Sequence, residues 1–93
     1  MGNEFKLKFT FDSHQKVEEL IQSLPQFDRQ LVIEGRKIYE FRMTNKDSSM
    51  PNLSIEIRNG ELFLCDYGDG HEILNELLIK INERYGDSHL ESE

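Results

Sequence analysis

The 93-residue sequence predicts an α+β domain, a mainly antiparallel sheet with two helices packed on one face. Three observations carry that expectation. Alternation of apolar and polar residues marks five strand-like segments, and a 3.6-residue period marks two helical ones. Four of the five strand patterns fall together between the two helices, the arrangement of hairpins rather than of parallel β-α-β units. The predicted order is β-α-β-β-β-β-α.

The first strand is read from Glu4 to Phe11, where Phe5, Leu7, Phe9 and Phe11 alternate with Glu4, Lys6, Lys8 and Thr10. That is the pattern of a half-buried strand. Asp12 or Ser13 then offers an N-cap, Val17, Leu20, Ile21 and Leu24 form one helical stripe, and Pro25 stops it. Phe27 is expected to plug the end of that helix.

From Gln30 to Ile33 the pattern is again strand-like, followed by Glu34-Gly35-Arg36-Lys37 as a turn and by Ile38 to Thr44 as a further strand with Tyr39, Phe41 and Met43 alternating. The faces depend on the loop. With an even count Val32 joins Tyr39 and Phe41, while Leu31, Ile33 and Ile38 gather on the opposite face; an odd count or a bulge reunites them. Asn45 to Pro51 is polar and is expected to be the most mobile loop.

The strongest local signal is the next hairpin. Leu53, Ile55 and Ile57 alternate with Ser54, Glu56 and Arg58, and Asn59-Gly60 supplies two residues that tolerate the positive φ of a type I′ turn. A two-residue loop predicts the register Arg58 opposite Glu61, Ile57 opposite Leu62 and Ile55 opposite Leu64, with Glu56 opposite Phe63 and Ser54 opposite Cys65 on the other face. The acidic turn Asp66-Tyr67-Gly68-Asp69-Gly70 leads into the last helix, whose stripe is Ile73, Leu74, Leu77, Leu78, Ile81 and Tyr85. Asp69 is the expected N-cap, paired with Glu72 in a capping-box-like arrangement. Lys80 and Arg84 suit the far end of the helix dipole, and Gly86 offers the residue that ends it.

Residues 1–86 are therefore read as one domain and 87–93 as an acidic disordered tail. The formal charge is −7, and Asp87, Glu91 and Glu93 hold part of it, leaving 15 acids against 11 bases in the rest. A negative surplus argues against nucleic acid, whose binding draws on Lys and Arg displacing counterions, and suits a basic partner. One cysteine and the lack of a charged segment followed by an apolar run suggest a cytoplasmic protein, and no apolar run approaches a bilayer span.

No nucleophile constellation, phosphate loop or metal-ligand spacing is present, so no cofactor is expected. Asp66, Asp69 and Glu72 supply hard oxygens, but an EF-hand spacing from Asp66 would put Gly68 and Gly70 where acids belong. His71 beside these acids has the minimum equipment for proton transfer. The sequence supports a small, acidic, non-catalytic interaction domain, of the kind that an inhibitor or immunity-type protein uses against a basic partner. Its expected contact residues are Leu31, Ile33, Ile38 and Phe63 on an open sheet face, and Asp66, Asp69 and Glu72 at the acidic corner. A second copy of the chain is the other expected occupant, and residues 25–29 folded across the face a third. The alternative is a small enzyme or ligand- or metal-binding domain that uses Asp66, Asp69 and His71 with the 45–51 loop as a lid.

Overall fold

The computed structural model describes residues 3–43 and 50–92. Residues 45–49 of the expected mobile loop lie outside that set. Six strands and two helices follow in the order β1 (Asn3–Lys8), α1 (His14–Gln22), β2 (Phe27–Ile33), β3 (Arg36–Phe41), β4 (Leu53–Arg58), β5 (Glu61–Asp66), α2 (His71–Tyr85) and β6 (His89–Ser92). All strand pairs are antiparallel in one sheet of order β2-β3-β4-β5-β1-β6. The α+β architecture is the one the hydrophobic periods predict, with a sixth strand added.

That strand corrects the reading of residues 87–93 as a disordered tail. His89–Ser92 pairs with β1, with Leu7 opposite Leu90 and Lys6 opposite Glu91. Lys8 bridges Glu91 at 3.3 Å. With one apolar residue in four, the segment lacks a strand signature of its own, and its order comes from the ladder that β1 offers on its free side.

Two-residue spacing sorts every strand into an inner and an outer face. Leu7, Tyr39, Phe41, Leu53, Ile55, Leu62 and Leu64 are buried on the inner face with Val17, Leu20 and Ile21 of α1 and Ile73, Leu74, Leu77 and Ile81 of α2. Full burial of such a Leu or Ile contributes about 1.5–3 kcal/mol, so this one layer is the main source of stability. Tyr39 reaches through it and donates its hydroxyl to Glu18, tying β3 to α1. Burial, reinforced by that carboxylate, raises the pKa of Tyr39, and the same bond lowers that of Glu18.

The 59–60 hairpin has the predicted register at all five named pairs, with Asn59 at φ 51° and Gly60 at φ 77°. The preceding hairpin takes the even alternative. Its turn is Glu34-Gly35 alone, at φ 52° and 79°, and Arg36 and Lys37 are already in β3. Leu31 therefore sits opposite Ile38 and Ile33 opposite Arg36, while Val32 shares the inner side with Gln30 and Tyr39. Phe27 begins β2 before a bulge between Phe27 and Arg29, its amide donates to Leu24 O just past α1 at 3.0 Å, and its ring lies 5.7 Å from that of Phe41. At the other side of the sheet β1 stops at Lys8. Phe9 and Phe11 leave the ladder to pack on Tyr85 at the end of α2, with centroids 5.2 and 6.4 Å away.

Candidate interaction surface

Both described helices pack on the inner face, so no described helix lies over the outer sheet face. It brings together the four apolar residues named from the sequence, but not as one patch. Across the strands the register runs Leu31, Ile38, Glu56, Phe63, so a carboxylate stands between the β2–β3 pair and the β5 aromatic. Leu31, Ile38 and Phe63 are half-buried, and Ile33 at the hairpin tip is 49% exposed. Cys65, opposite Ser54, continues the Phe63 side.

Charged side chains form the cover. Arg36 grips Glu56 through two bonds, Nε to Oε2 at 2.7 Å and Nη2 to Oε1 at 2.6 Å, and Arg58 Nε stands 3.3 Å from the same carboxylate. The Arg58 guanidinium lies 3.9 Å from the centroid of the Phe63 ring, and Lys6 reaches to 5.5 Å. Phe63 is thus packed by cations that gain from its π face while their stems exclude water. The Arg36 hydrogen bonds, joined by the nearby positive charge of Arg58, hold the Glu56 carboxyl below the ordinary carboxylate range despite its burial. Between these groups and Tyr67 lies a shallow concavity of about 380 Å³.

A second ion cluster closes the opposite end of β2 and β3. Arg42 is 1% exposed and its Nη1 contacts Asp28 at 2.8 Å and Glu40 at 3.0 Å, while Arg29 Nε meets Glu40 at 2.8 Å. Residues 25–29 do not fold across the face. Pro25 and Gln26 are in a turn, Phe27 opens β2, and Asp28 and Arg29 reach the face as members of this cluster. The depth of Arg42 is not expected from the sequence. Its only sequence trace is the alternation of Glu40 and Arg42 about the core residue Phe41. Tyr67, at 37% exposed, was also missed. A bond with Ser54 lowers its hydroxyl pKa, but burial and the neighbouring Cys65 and Glu40 outweigh that and the net shift is upward.

The acidic corner is built differently from its expectation. Asp66 Oδ1 accepts from the amides of Gly68 at 2.8 Å and Gly70 at 3.1 Å, and the chain passes through φ 58° at Asp69. Gly70, not Asp69, is the N-cap of α2, with no side-chain cap bond, so the capping box with Glu72 does not form. The reason is that Asp66 already holds the turn, which leaves the Asp69 carboxylate exposed. Asn52 supports the same turn by accepting from Tyr67 N at 3.0 Å and donating from Nδ2 to Gly68 O at 3.3 Å. A Cβ on Gly70 would lie 2.5 Å from Asn52 O, so only glycine fits that close approach. His71 and Glu72 are exposed on the first turn of α2.

Asp66 faces the helix side of the sheet, opposite Leu53, so the corner and the outer-face residues form two separate surfaces. Among the described residues no three His, Cys, Asp or Glu side chains converge as a metal site requires. No described helix is long and apolar enough to cross a membrane. No known family model, curated protein or solved structure matches the chain.

Proposed function

We propose that this is a small, acidic, non-catalytic protein-interaction domain that docks through its outer sheet face. The observation that supports the reading is the apolar corner made by exposed Ile33 with half-buried Leu31 and Ile38, on a face that no described helix covers, flanked by charged groups already paired with one another. Apolar residues at the centre of contact with a polar rim are what a protein interface uses, and rim ions that are pre-paired cost less to desolvate.

The acidic surplus lies mainly off this face and serves to steer a basic partner, as an inhibitor or immunity-type protein would. The single thiol, Cys65, suits a reducing cytoplasm. Size and charge support that role by analogy alone.

The test is affinity capture from native lysate with the wild-type chain, with Ile38→Gln/Phe63→Gln, and with Asp69→Asn/Glu72→Gln. A partner retained by the wild type and the acidic-corner variant but lost by the outer-face variant is the expected result, with capture slowing as salt is raised. Equal capture by all three chains removes the outer face from the interface. Loss only with the acidic-corner variant moves the docking surface there.

A further inference from the structure

We propose that Gln30–Ile33 of β2 is a homodimer interface, at which β2 of a second copy pairs antiparallel and joins two six-stranded sheets into one. This goes beyond docking by the outer face, because it uses the sheet edge and names the occupant.

The argument begins with backbone groups. Ile33 and Arg36 flank a two-residue turn whose φ angles, 52° and 79°, are those of type I′, so they form a hydrogen-bonded pair. Alternation along an antiparallel ladder makes Leu31 and Ile38 the next hydrogen-bonded pair. Gln30 and Val32 therefore turn their N–H and C=O groups away from β3. Since β2 is the first strand of the sheet, no strand lies on that side among the described residues.

Exposed edges are normally blunted by short length, charge, proline or a bulge. The other edge strand, β6, is four residues long and carries His89 and Glu91. In β2 the bulge between Phe27 and Arg29 blunts the beginning only. The remaining Gln-Leu-Val-Ile has neither charge nor proline, and Val32 is 65% exposed.

A second copy fits this edge by symmetry. Antiparallel joining with like faces on one side requires a twofold axis perpendicular to the sheet, which pairs residues of the same parity. Centred on Leu31, the axis sets Gln30 opposite Val32 of the second copy and the reverse, so that the outward groups of both strands exchange four backbone hydrogen bonds. Leu31 then meets its own copy on the outer face, and the stem of Arg29 covers Ile33.

The charge beside β2 does not oppose the pairing, although each chain carries −7 overall. The sheet order puts Glu91 at the far edge, and beside β2 Asp28 and Glu34 are balanced by Arg29, Arg36 and Lys37. The register brings Asp28 toward Glu34 of the second copy, but Arg42 already holds Asp28 at 2.8 Å. The twofold also consumes both open edges, giving a closed dimer rather than a growing ribbon. A contact of a few residues along one edge is small, of the class that associates weakly.

The test is sedimentation equilibrium from about 1 µM to about 1 mM, a span that brackets such an affinity, with amide hydrogen exchange at both ends. The variants are Val32→Pro, which removes an outward N–H without breaking a bond to β3, and Val32→Lys. The wild type is expected to rise from one chain toward two with little dependence on salt. The amides of Gln30 and Val32 should gain protection with concentration while that of Leu31 stays unchanged. Both variants should remain monomeric with wild-type circular dichroism. Should the proline variant fail to fold, Val32→Lys carries the comparison, since its side chain is already in solvent.

A wild-type monomer at every concentration overturns the proposal, including the case in which this edge accepts a strand from a different protein. So does a dimer that Val32→Lys leaves intact. Ile38 and Phe63 are untouched in these variants, so loss of the dimer leaves capture by the outer face to be judged separately.

Discussion

The carboxylates of the 66–70 turn and those of the outer sheet face are equally acidic in sequence, yet they are put to opposite uses. In the turn, Asp66 spends its oxygen on two amides of its own loop, and Asp69 and Glu72 are left exposed. On the sheet, Glu40 and Glu56 are 8% and 7% exposed, and each is held by one arginine from a neighbouring strand, Arg29 and Arg36 respectively. A turn carboxylate satisfies local backbone, whereas a strand carboxylate fixes a relation between strands far apart in sequence. The first kind resembles a binding site in sequence, yet Asp66 braces its own turn; the second resembles scattered surface charge, yet Glu40 and Glu56 tie neighbouring strands together.

The largest expected effect tests the buried cluster. Arg42→Ala strands Asp28 and Glu40 beside each other with only Arg29 as counter-ion and opens a hole under β2. Removing one member of a buried ion pair costs about 3–5 kcal/mol, and the partial exposure of both acids puts the loss near 3 kcal/mol. Urea denaturation measures it. A loss under about 0.5 kcal/mol, the range of ordinary surface changes, would mean that the cluster is no more than exposed charge.

On the turn, Gly70→Ala pushes a methyl group to 2.5 Å from Asn52 O and 2.8 Å from Asp66 Oδ1. Overpacking of this kind costs about 1–3 kcal/mol, and here the nearer of the two atoms is backbone, which places the expected loss near 2 kcal/mol. The same denaturation experiment reads it. An alanine variant as stable as the wild type would show that the turn relaxes freely and that the Asn52 contacts do not hold it.

How much of this was legible follows from range in sequence. The 59–60 hairpin was readable to the residue because Asn-Gly, alternation and a paired charge at its ends all act within a dozen positions. The earlier hairpin left its faces open because glutamate is a poor type I′ residue, and Glu34 gave no sign that it, with Gly35, forms the whole turn. Asp69 looked like the N-cap since sequence shows a carboxylate before a helix but not that Asp66, three residues earlier, takes the amides first. The four apolar residues expected as contacts share the outer face only under the even alternative that the structure takes, and the Glu56–arginine cluster dividing them needs the order of β3, β4 and β5, which no local pattern encodes. Strand β6 and buried Arg42 are legible only once their partners are in place.

The smallest expected effect sharpens the sheet-face side of the comparison through pH. Arg36 donates two hydrogen bonds to Glu56 and lowers its pKa from the ordinary 4.5, so folding favours the ionised carboxylate. For a depressed carboxyl the stabilisation is complete above the unfolded-state value and is lost as pH falls through the lowered folded-state one. Glu56→Gln removes that contribution. A charge-assisted pair is worth about 1.5–3 kcal/mol when dry, and the exposure of Arg36 reduces the expected loss to about 1 kcal/mol at neutral pH. The difference between wild type and variant should then shrink steadily below pH 4.5, while Glu18, lowered by Tyr39, titrates in both chains and cancels. Thermal melts at a series of pH values give the difference directly. A gap that stays constant into acid would assign the role of Glu56 to packing over Ile38 and Phe63, with its charge contributing nothing.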